Sequence, residues 1–139
     1  MADGLTTLPI AIEMLDAARS SGLDLEAALM GDEEQLRPTE IAQPALLFVE
    51  CALRSTLPDD LDIVAVAGHS VGEYAASVAA GALQPADAMR LVIERGRAMA
   101  TMREVASSSD SASAVRPSRP SIASPARIFV RRYSLLTSE

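Results

Sequence analysis

A short apolar run that ends in a glycine-flanked serine constrains the local fold of this chain more than any other feature. Ile63–Ala67 is uninterrupted and partly β-branched, a pattern typical of a central strand in a parallel sheet. A match to G-x-S-x-G follows directly at Gly68–Gly72, and a small-residue helix is predicted from Val71 to Ala80. A strand, a tight turn and a helix in this order predict a nucleophile elbow, which would lift Ser70 above the end of the sheet.

The predicted elbow gives Ser70 a chemical role as well as a position. Gly68 and Gly72 carry no Cβ, so the strand and the helix can approach each other closely. Ser70 would then lie at a helix N-terminus, where the backbone N–H of Val71 and the helix dipole can stabilise an oxyanion. The simpler alternative is that Ser70 only caps the helix.

The single histidine of the chain, His69, directly precedes this serine. Neighbouring side chains diverge at such a turn, so we expect His69 to lie beside the site without activating Ser70. A serine nucleophile needs a base, and the chain has no other histidine to supply one.

The remaining helices are predicted mainly from the prolines and glycines near their ends. Pro9 suits the first turn of a helix that ends near Gly22, and a short helix follows at Leu25–Met30. Pro44 is predicted to start a helix from Ala45 to Leu57 that is apolar nearly all round and therefore buried on most sides. Pro85 opens a last helix, which is predicted to end at Arg103. Together these elements predict an α/β fold.

Composition divides the chain near residue 105. Residues 1–105 hold seven arginines and seventeen acidic residues, whereas residues 106–139 hold five arginines, two acidic residues and ten serines. We therefore predict one folded region at 1–105 and a disordered tail at 106–139, in which only Ile128–Leu136 has the character of a strand.

The whole composition excludes several classes of protein. A net charge of −7 argues against a nucleic-acid-binding protein, which needs a cationic face. The single Cys51 excludes an internal disulfide and a cysteine-rich metal site. No apolar run approaches the ~18 residues of a membrane span, and no secretory leader is evident. We expect a cytoplasmic protein, or part of one, without a metal ion.

Arg95 is the second informative residue. The last helix is predicted to present an apolar stripe of Ala88, Val92, Met99 and Met102, and Arg95 falls on that stripe. A buried guanidinium needs an anion, because an unpaired buried charge costs several kcal/mol. Spacing leaves two partners open, an internal acid such as Glu73 or the carboxylate of a ligand.

Three segments together resemble the malonyl-CoA:acyl-carrier-protein transacylases, the acyltransferase family of fatty-acid and polyketide synthesis. The segments are Gln43–Leu47 (QPALL), Ala67–Tyr74 (AGHSVGEY) and Arg95–Met99 (RGRAM). The resemblance covers about residues 10–104 and implies part of the large, α/β-hydrolase-like subdomain of an acyltransferase.

The resemblance also implies a role for each matching residue. Ser70 would take the acyl group from CoA, Val71 would lend an oxyanion N–H, and Arg95 would bind the free carboxylate of malonyl. Gln43 would belong to the same substrate site. The implied partners are malonyl-CoA as substrate and acyl carrier protein, with no cofactor, in a monomer or in a larger synthase.

Two departures from the family pattern limit the expected activity. Family members open with a strand and a G-Q-G-S-Q loop that supplies the other oxyanion donor, and they carry a ferredoxin-like subdomain and the base histidine after the part matched here. We therefore expect a chain truncated at both ends that is inactive by itself. The alternatives are a serine hydrolase of the α/β-hydrolase type and a fragment with no activity of its own.

Overall fold

The computed structural model describes residues 4–58, 60–109 and 127–129, and these are mainly helical. Two strands pair antiparallel, with Val66 opposite Phe129 and Gly68 opposite Arg127. The helices and strands in chain order are α1 (Pro9–Ser20), α2 (Leu25–Met30), a 3-10 helix (Glu33–Leu36), α3 (Thr39–Ser55), β1 (Val66–Gly68), α4 (Gly72–Ala79), α5 (Pro85–Ser109) and β2 (Arg127–Phe129).

The core lies between α1, α3 and α5, which pack against one another. With so few aromatic residues in the chain, aliphatic and sulfur-containing side chains fill most of it. The largest fully buried side chains are Phe48, Met14, Leu25, Leu47, Met89, Ile93, Val92 and Pro44. Helix α4 packs on α3 and on β1, so the segment around Ser70 is attached to the side of this helical core.

The predicted central strand is the main error of the sequence analysis. The strand spans Val66–Gly68 and not Ile63–Ala67, and its partner β2 is antiparallel. Val64 is 70% exposed, so the run does not lie between two layers of helices in the described structure. A parallel strand is buried only when neighbouring strands and helices cover it, and the run's own composition does not supply those neighbours.

Helix α3 begins earlier than predicted. Pro38 is the N-cap, with its carbonyl accepting from the N–H groups of Ile41 and Ala42, and Pro44 lies inside the helix. Pro44 cannot donate a hydrogen bond to the Glu40 carbonyl, but its ring is fully buried, so packing offsets the loss. The expectation of burial on most sides was wrong as well, because Leu46 and Leu53 are half exposed.

The start of α1 at Pro9 and the start of α5 at Pro85 confirm the proline predictions. Helix α5 does not end at Arg103 but continues to Ser109. No glycine or proline lies between these two residues, and the Ser107 and Ser108 hydroxyls bond to helix carbonyls. Ile128 lies in β2, while residues 110–126 and 130–139 lie outside the described residues. The division of the chain near residue 105 stays a prediction.

Across the described ranges, no helix combines the length and the apolar character required to cross a bilayer.

Candidate acyl-accepting site

The turn at Ser70 has the geometry predicted for a nucleophile elbow. Ser70 has a φ of 57°, the only positive φ among the described non-glycine residues. A Cβ on Gly68 would lie 2.0 Å from the carbonyl oxygen of Gly72, so only glycine allows β1 and α4 to meet here. Backbone strain at a single serine, held by a close strand–helix contact, is typical of functional sites.

The start of α4 contains a backbone donor without a backbone acceptor among the described residues. The N–H of Gly72 donates to His69 O at 3.0 Å, and that of Glu73 donates to Ser70 O at 3.3 Å. The N–H of Val71, the N-cap, has no backbone acceptor within the described part of the chain. An N–H of this kind next to a nucleophile is available to an oxyanion.

Arg95 lies directly beside the serine. Its Nη2 donates to Ser70 Oγ at 2.9 Å, and its Nη1 donates to Gln43 Oε1. Both acceptors are neutral groups. The structure therefore brings together one residue from each of the three motifs, in α3, at the turn and in α5.

The stripe on which Arg95 was placed is buried only in its first half. Ala88 and Val92 are fully buried, whereas Met99 is 44% and Met102 75% exposed. The two methionines line an open depression of about 350 Å³ with Thr39, Arg103 and Ala106. Arg95 is half-buried, at the point where the helix leaves the core, so its guanidinium is accessible to a ligand.

Gln43 is buried, and both polar atoms of its side-chain amide make hydrogen bonds. Its Nε2 donates to Thr39 Oγ1 at 2.8 Å and to Met99 Sδ at 3.4 Å, while its Oε1 accepts from Arg95. The sequence analysis missed Thr39. The signal was present, because Thr39 lies four residues before Gln43 at the start of a helix, and that spacing places both on one face.

A glycine in α5 makes this cluster possible. A Cβ on the buried Gly96 would lie 2.8 Å from Glu40 Cα and 3.2 Å from Thr39 O. The absence of a side chain lets α5 approach the first turn of α3, and the neighbouring Arg95 thereby comes within reach of Gln43.

His69 lies apart from this cluster. The histidine is exposed, and among the described residues no hydrogen bond joins its imidazole to the Ser70 hydroxyl. It lines a cleft of about 450 Å³ beside β1 and α4, together with Glu50 and Arg54 of α3. Burial raises the pKa of the Glu50 carboxyl above its ordinary value.

Comparison with known proteins decides the family. The sequence model of the acyl transferase domain family matches residues 11–130. The chain belongs to this family. The match includes α3, the turn at Ser70 and α5, the elements that carry the candidate site.

The chain has curated relatives among transacylases and among polyketide synthases. It is 39% identical over 104 residues to a malonyl CoA-acyl carrier protein transacylase of Haemophilus influenzae, with 71% of this chain and 33% of the relative covered. It is 40% identical over 103 residues to the transacylase of Escherichia coli K12, with the same coverages, 71% and 33%. It is 43% identical over 99 residues to a type I phenolphthiocerol synthesis polyketide synthase of Mycobacterium marinum, covering 66% of this chain and 5% of that protein.

The chain thus spans about a third of the length of the transacylases it matches. No solved structure matches it significantly.

Proposed function

We propose that this chain carries the acyl-accepting part of an [acyl-carrier-protein] S-malonyltransferase of fatty-acid or polyketide biosynthesis. The enzyme would move malonyl from CoA to acyl carrier protein through an ester on Ser70. The observation that carries the proposal is the 2.9 Å hydrogen bond between Arg95 Nη2 and Ser70 Oγ at the elbow. As part of the same proposal, the chain belongs to the large, α/β-hydrolase-like subdomain of an acyltransferase.

In the first half-reaction Ser70 Oγ attacks the thioester carbonyl of malonyl-CoA. The C–S bond breaks, CoA leaves as the thiol, and the serine proton passes to a general base. Negative charge develops on the carbonyl oxygen. The Val71 N–H at the start of α4, which has no backbone acceptor among the described residues, would stabilise that charge. The second half-reaction reverses these steps with the thiol of acyl carrier protein as the attacking group.

The position of Arg95 favours an acyl group that carries a carboxylate. Malonyl has one methylene between its thioester carbonyl and its carboxylate, so both groups must lie near Ser70 during attack. The guanidinium is already within hydrogen-bond distance of the attacking oxygen. A carboxylate is a stronger acceptor than a hydroxyl, so it would take over Arg95 Nη2 and free a lone pair of Ser70 Oγ for attack.

A serine hydrolase would share the elbow, but water as acceptor gives Arg95 no function. A carboxylate-bearing acyl group gives one to Arg95 and to the Gln43 amide that holds it.

The experiment is incubation of the 139-residue chain with isotope-labelled malonyl-CoA, followed by peptide mapping. We expect slow labelling that is confined to the peptide that contains Ser70, and none in Ser70→Ala. Ser77→Ala is the matched control, because this serine is in α4 and its hydroxyl bonds to the Glu73 carbonyl of its own helix. Label on a peptide without Ser70, or label retained in Ser70→Ala, contradicts the proposal.

A further inference from the structure

We propose that Thr39 is a positioning residue for Arg95, and that it acts through the orientation of the Gln43 amide. The inference rests on the proposed function, since it assigns to Thr39 a share in the preference for acyl groups with a carboxylate. The hydrogen bonds run in one chain, from Gln43 to Thr39, from Arg95 to Gln43 and from Arg95 to Ser70.

The donors and acceptors in this chain allow only one orientation of the amide. A guanidinium has donors and no acceptor, so the group that faces Arg95 must be the oxygen of Gln43. The amide NH₂ then needs an acceptor on its other side, and Thr39 Oγ1 lies 2.8 Å from it. The second acceptor, Met99 Sδ at 3.4 Å, is a thioether and therefore weak.

Without the Thr39 hydroxyl oxygen, the Gln43 amide lacks the strong acceptor that favours this orientation over the reversed one. The reversed amide would turn its NH₂ toward the guanidinium, donor against donor. Gln43 is only 6% exposed, so water has little access to replace the missing acceptor. Arg95 would then lose the contact that fixes its Nη1, and its guanidinium would be free to leave the neighbourhood of Ser70.

The backbone places Thr39 for this task. Thr39 is the first residue of α3, one turn before Gln43 on the same face. Its carbonyl oxygen is among the atoms nearest to the buried Gly96, so the first turn of α3 is packed against the residue next to Arg95. The Thr39 hydroxyl and the Arg95 guanidinium therefore lie at the same contact between α3 and α5.

The test compares Thr39→Val and Thr39→Ala, which remove the acceptor, with Thr39→Ser, which keeps it. The first readout needs no substrate and is the rate at which phenylglyoxal modifies Arg95, followed by peptide mapping. We expect Arg95 to be modified about fivefold faster in Thr39→Val and Thr39→Ala, a change of the size expected for the loss of one hydrogen bond. In Thr39→Ser the rate should stay within about twofold of wild type. In a Gln43→Leu background, Thr39→Val should have no further effect.

Two arginines of α5 serve as internal standards in the same digests. Arg90 pairs with Asp87 on the exposed face and should react equally in all variants. Arg97 Nη2 donates to Ser21 O after α1, so its protection reports whether α1 and α5 stay packed. Faster modification of Arg97 in both Thr39→Val and Thr39→Ala would overturn the proposal. Thr39 would then stabilise the packing of the helices and not the position of the Arg95 guanidinium.

The second readout is the affinity for malonyl-CoA and for acetyl-CoA. We expect Thr39→Val to weaken malonyl-CoA about fivefold and acetyl-CoA by less than about twofold, and Thr39→Ser to restore the difference. The role of Thr39 is overturned if Arg95 is modified at the same rate in wild type and Thr39→Val. It is also overturned if Thr39→Ser changes the rate or the affinities as much as Thr39→Val does. If wild type binds both thioesters equally, the proposed malonyl specificity fails, while the modification rates still decide on Thr39.

Discussion

Arg95 and Ser70 are 25 residues apart in sequence, and the arginine donates a 2.9 Å hydrogen bond to the serine oxygen. The contact joins the long helix α5 to a turn that lies at the side of the helical core. A guanidinium in this position can bind an anionic group that lies next to the serine hydroxyl. Under the proposed function, that group is the carboxylate of the acyl group.

The two glycines of the elbow should respond differently to the same substitution. Gly68→Ala places a Cβ 2.0 Å from the Gly72 carbonyl oxygen, so the turn must shift, at a cost of about 1–3 kcal/mol or more. In Gly72→Ala the new Cβ has as its nearest neighbour Glu50 Oε1 at 3.9 Å, and alanine at a helix start stabilises by roughly 0.4–1 kcal/mol. Urea unfolding of both variants measures the difference, and equal midpoints would argue against the elbow geometry.

Gly96→Ala should disturb the site from a distance. The added Cβ would lie 2.8 Å from Glu40 Cα, which forces α5 away from the first turn of α3 and costs about 1–3 kcal/mol. Because Arg95 moves with α5, its modification by phenylglyoxal should become faster at the same time. Thr101→Ala, at an exposed position of the same helix, is the control. Gly96→Ala with unchanged stability and unchanged Arg95 reactivity would contradict the close approach.

The sequence predicted the parts of the structure that depend on local chemistry. Pro9 and Pro85 open their helices, and Gly68 allows the close contact between β1 and α4. The grouping of Gln43, Ser70 and Arg95 followed from their shared membership of three family-like motifs. Each of these features can be recognised within a few residues of the chain.

The errors concern features that depend on distant residues. Whether Ile63–Ala67 is buried depends on the strands beside it, and β1 is instead a short strand paired antiparallel with β2. Pro44 lies within α3 because tertiary packing buries its ring, an effect that helix-start rules do not include. Thr39 was missed because its hydroxyl gains a role only through Gln43 and Arg95.

Cys51 should make the stability of the protein depend on pH. Burial, with a smaller contribution from the Glu50 carboxylate, raises the pKa of the Cys51 thiol from 9.0 to about 12. In the unfolded chain the thiol ionises near its ordinary pKa, while in the folded chain it stays protonated. The unfolded state is therefore favoured progressively as pH rises from 9.0 toward 12, and nothing is lost below that window.

The measurement is the urea midpoint as a function of pH for wild type and Cys51→Ala. Both lose stability at high pH as other groups titrate, but wild type should fall more steeply above pH 9.0. Parallel curves would show that the thiol is not shielded in the core.

His69 should not act as the base for Ser70. The residue is exposed and its imidazole makes no hydrogen bond to Ser70 within the described structure. Loss of one member of a catalytic triad lowers rates by roughly 10⁴ to 10⁶, so the 139-residue chain by itself should transfer malonyl close to background. His69→Asn should leave that slow rate within about twofold, since no proton transfer depends on it. Transfer at ordinary enzymatic rates that His69→Asn abolishes would identify His69 as the base.

The most direct test of the account is the affinity of the chain for malonyl-CoA against acetyl-CoA, measured by calorimetry in wild type and Arg95→Ala. The two ligands differ in the carboxylate alone, so their ratio isolates its contact with the guanidinium. We expect wild type to prefer malonyl-CoA by roughly tenfold to a hundredfold, the size of a charge-assisted hydrogen-bonded pair. Arg95→Ala should lose the preference, while Arg90→Ala, on the exposed face of the same helix, keeps it. Equal affinities in wild type, or a preference that survives Arg95→Ala, would contradict the account.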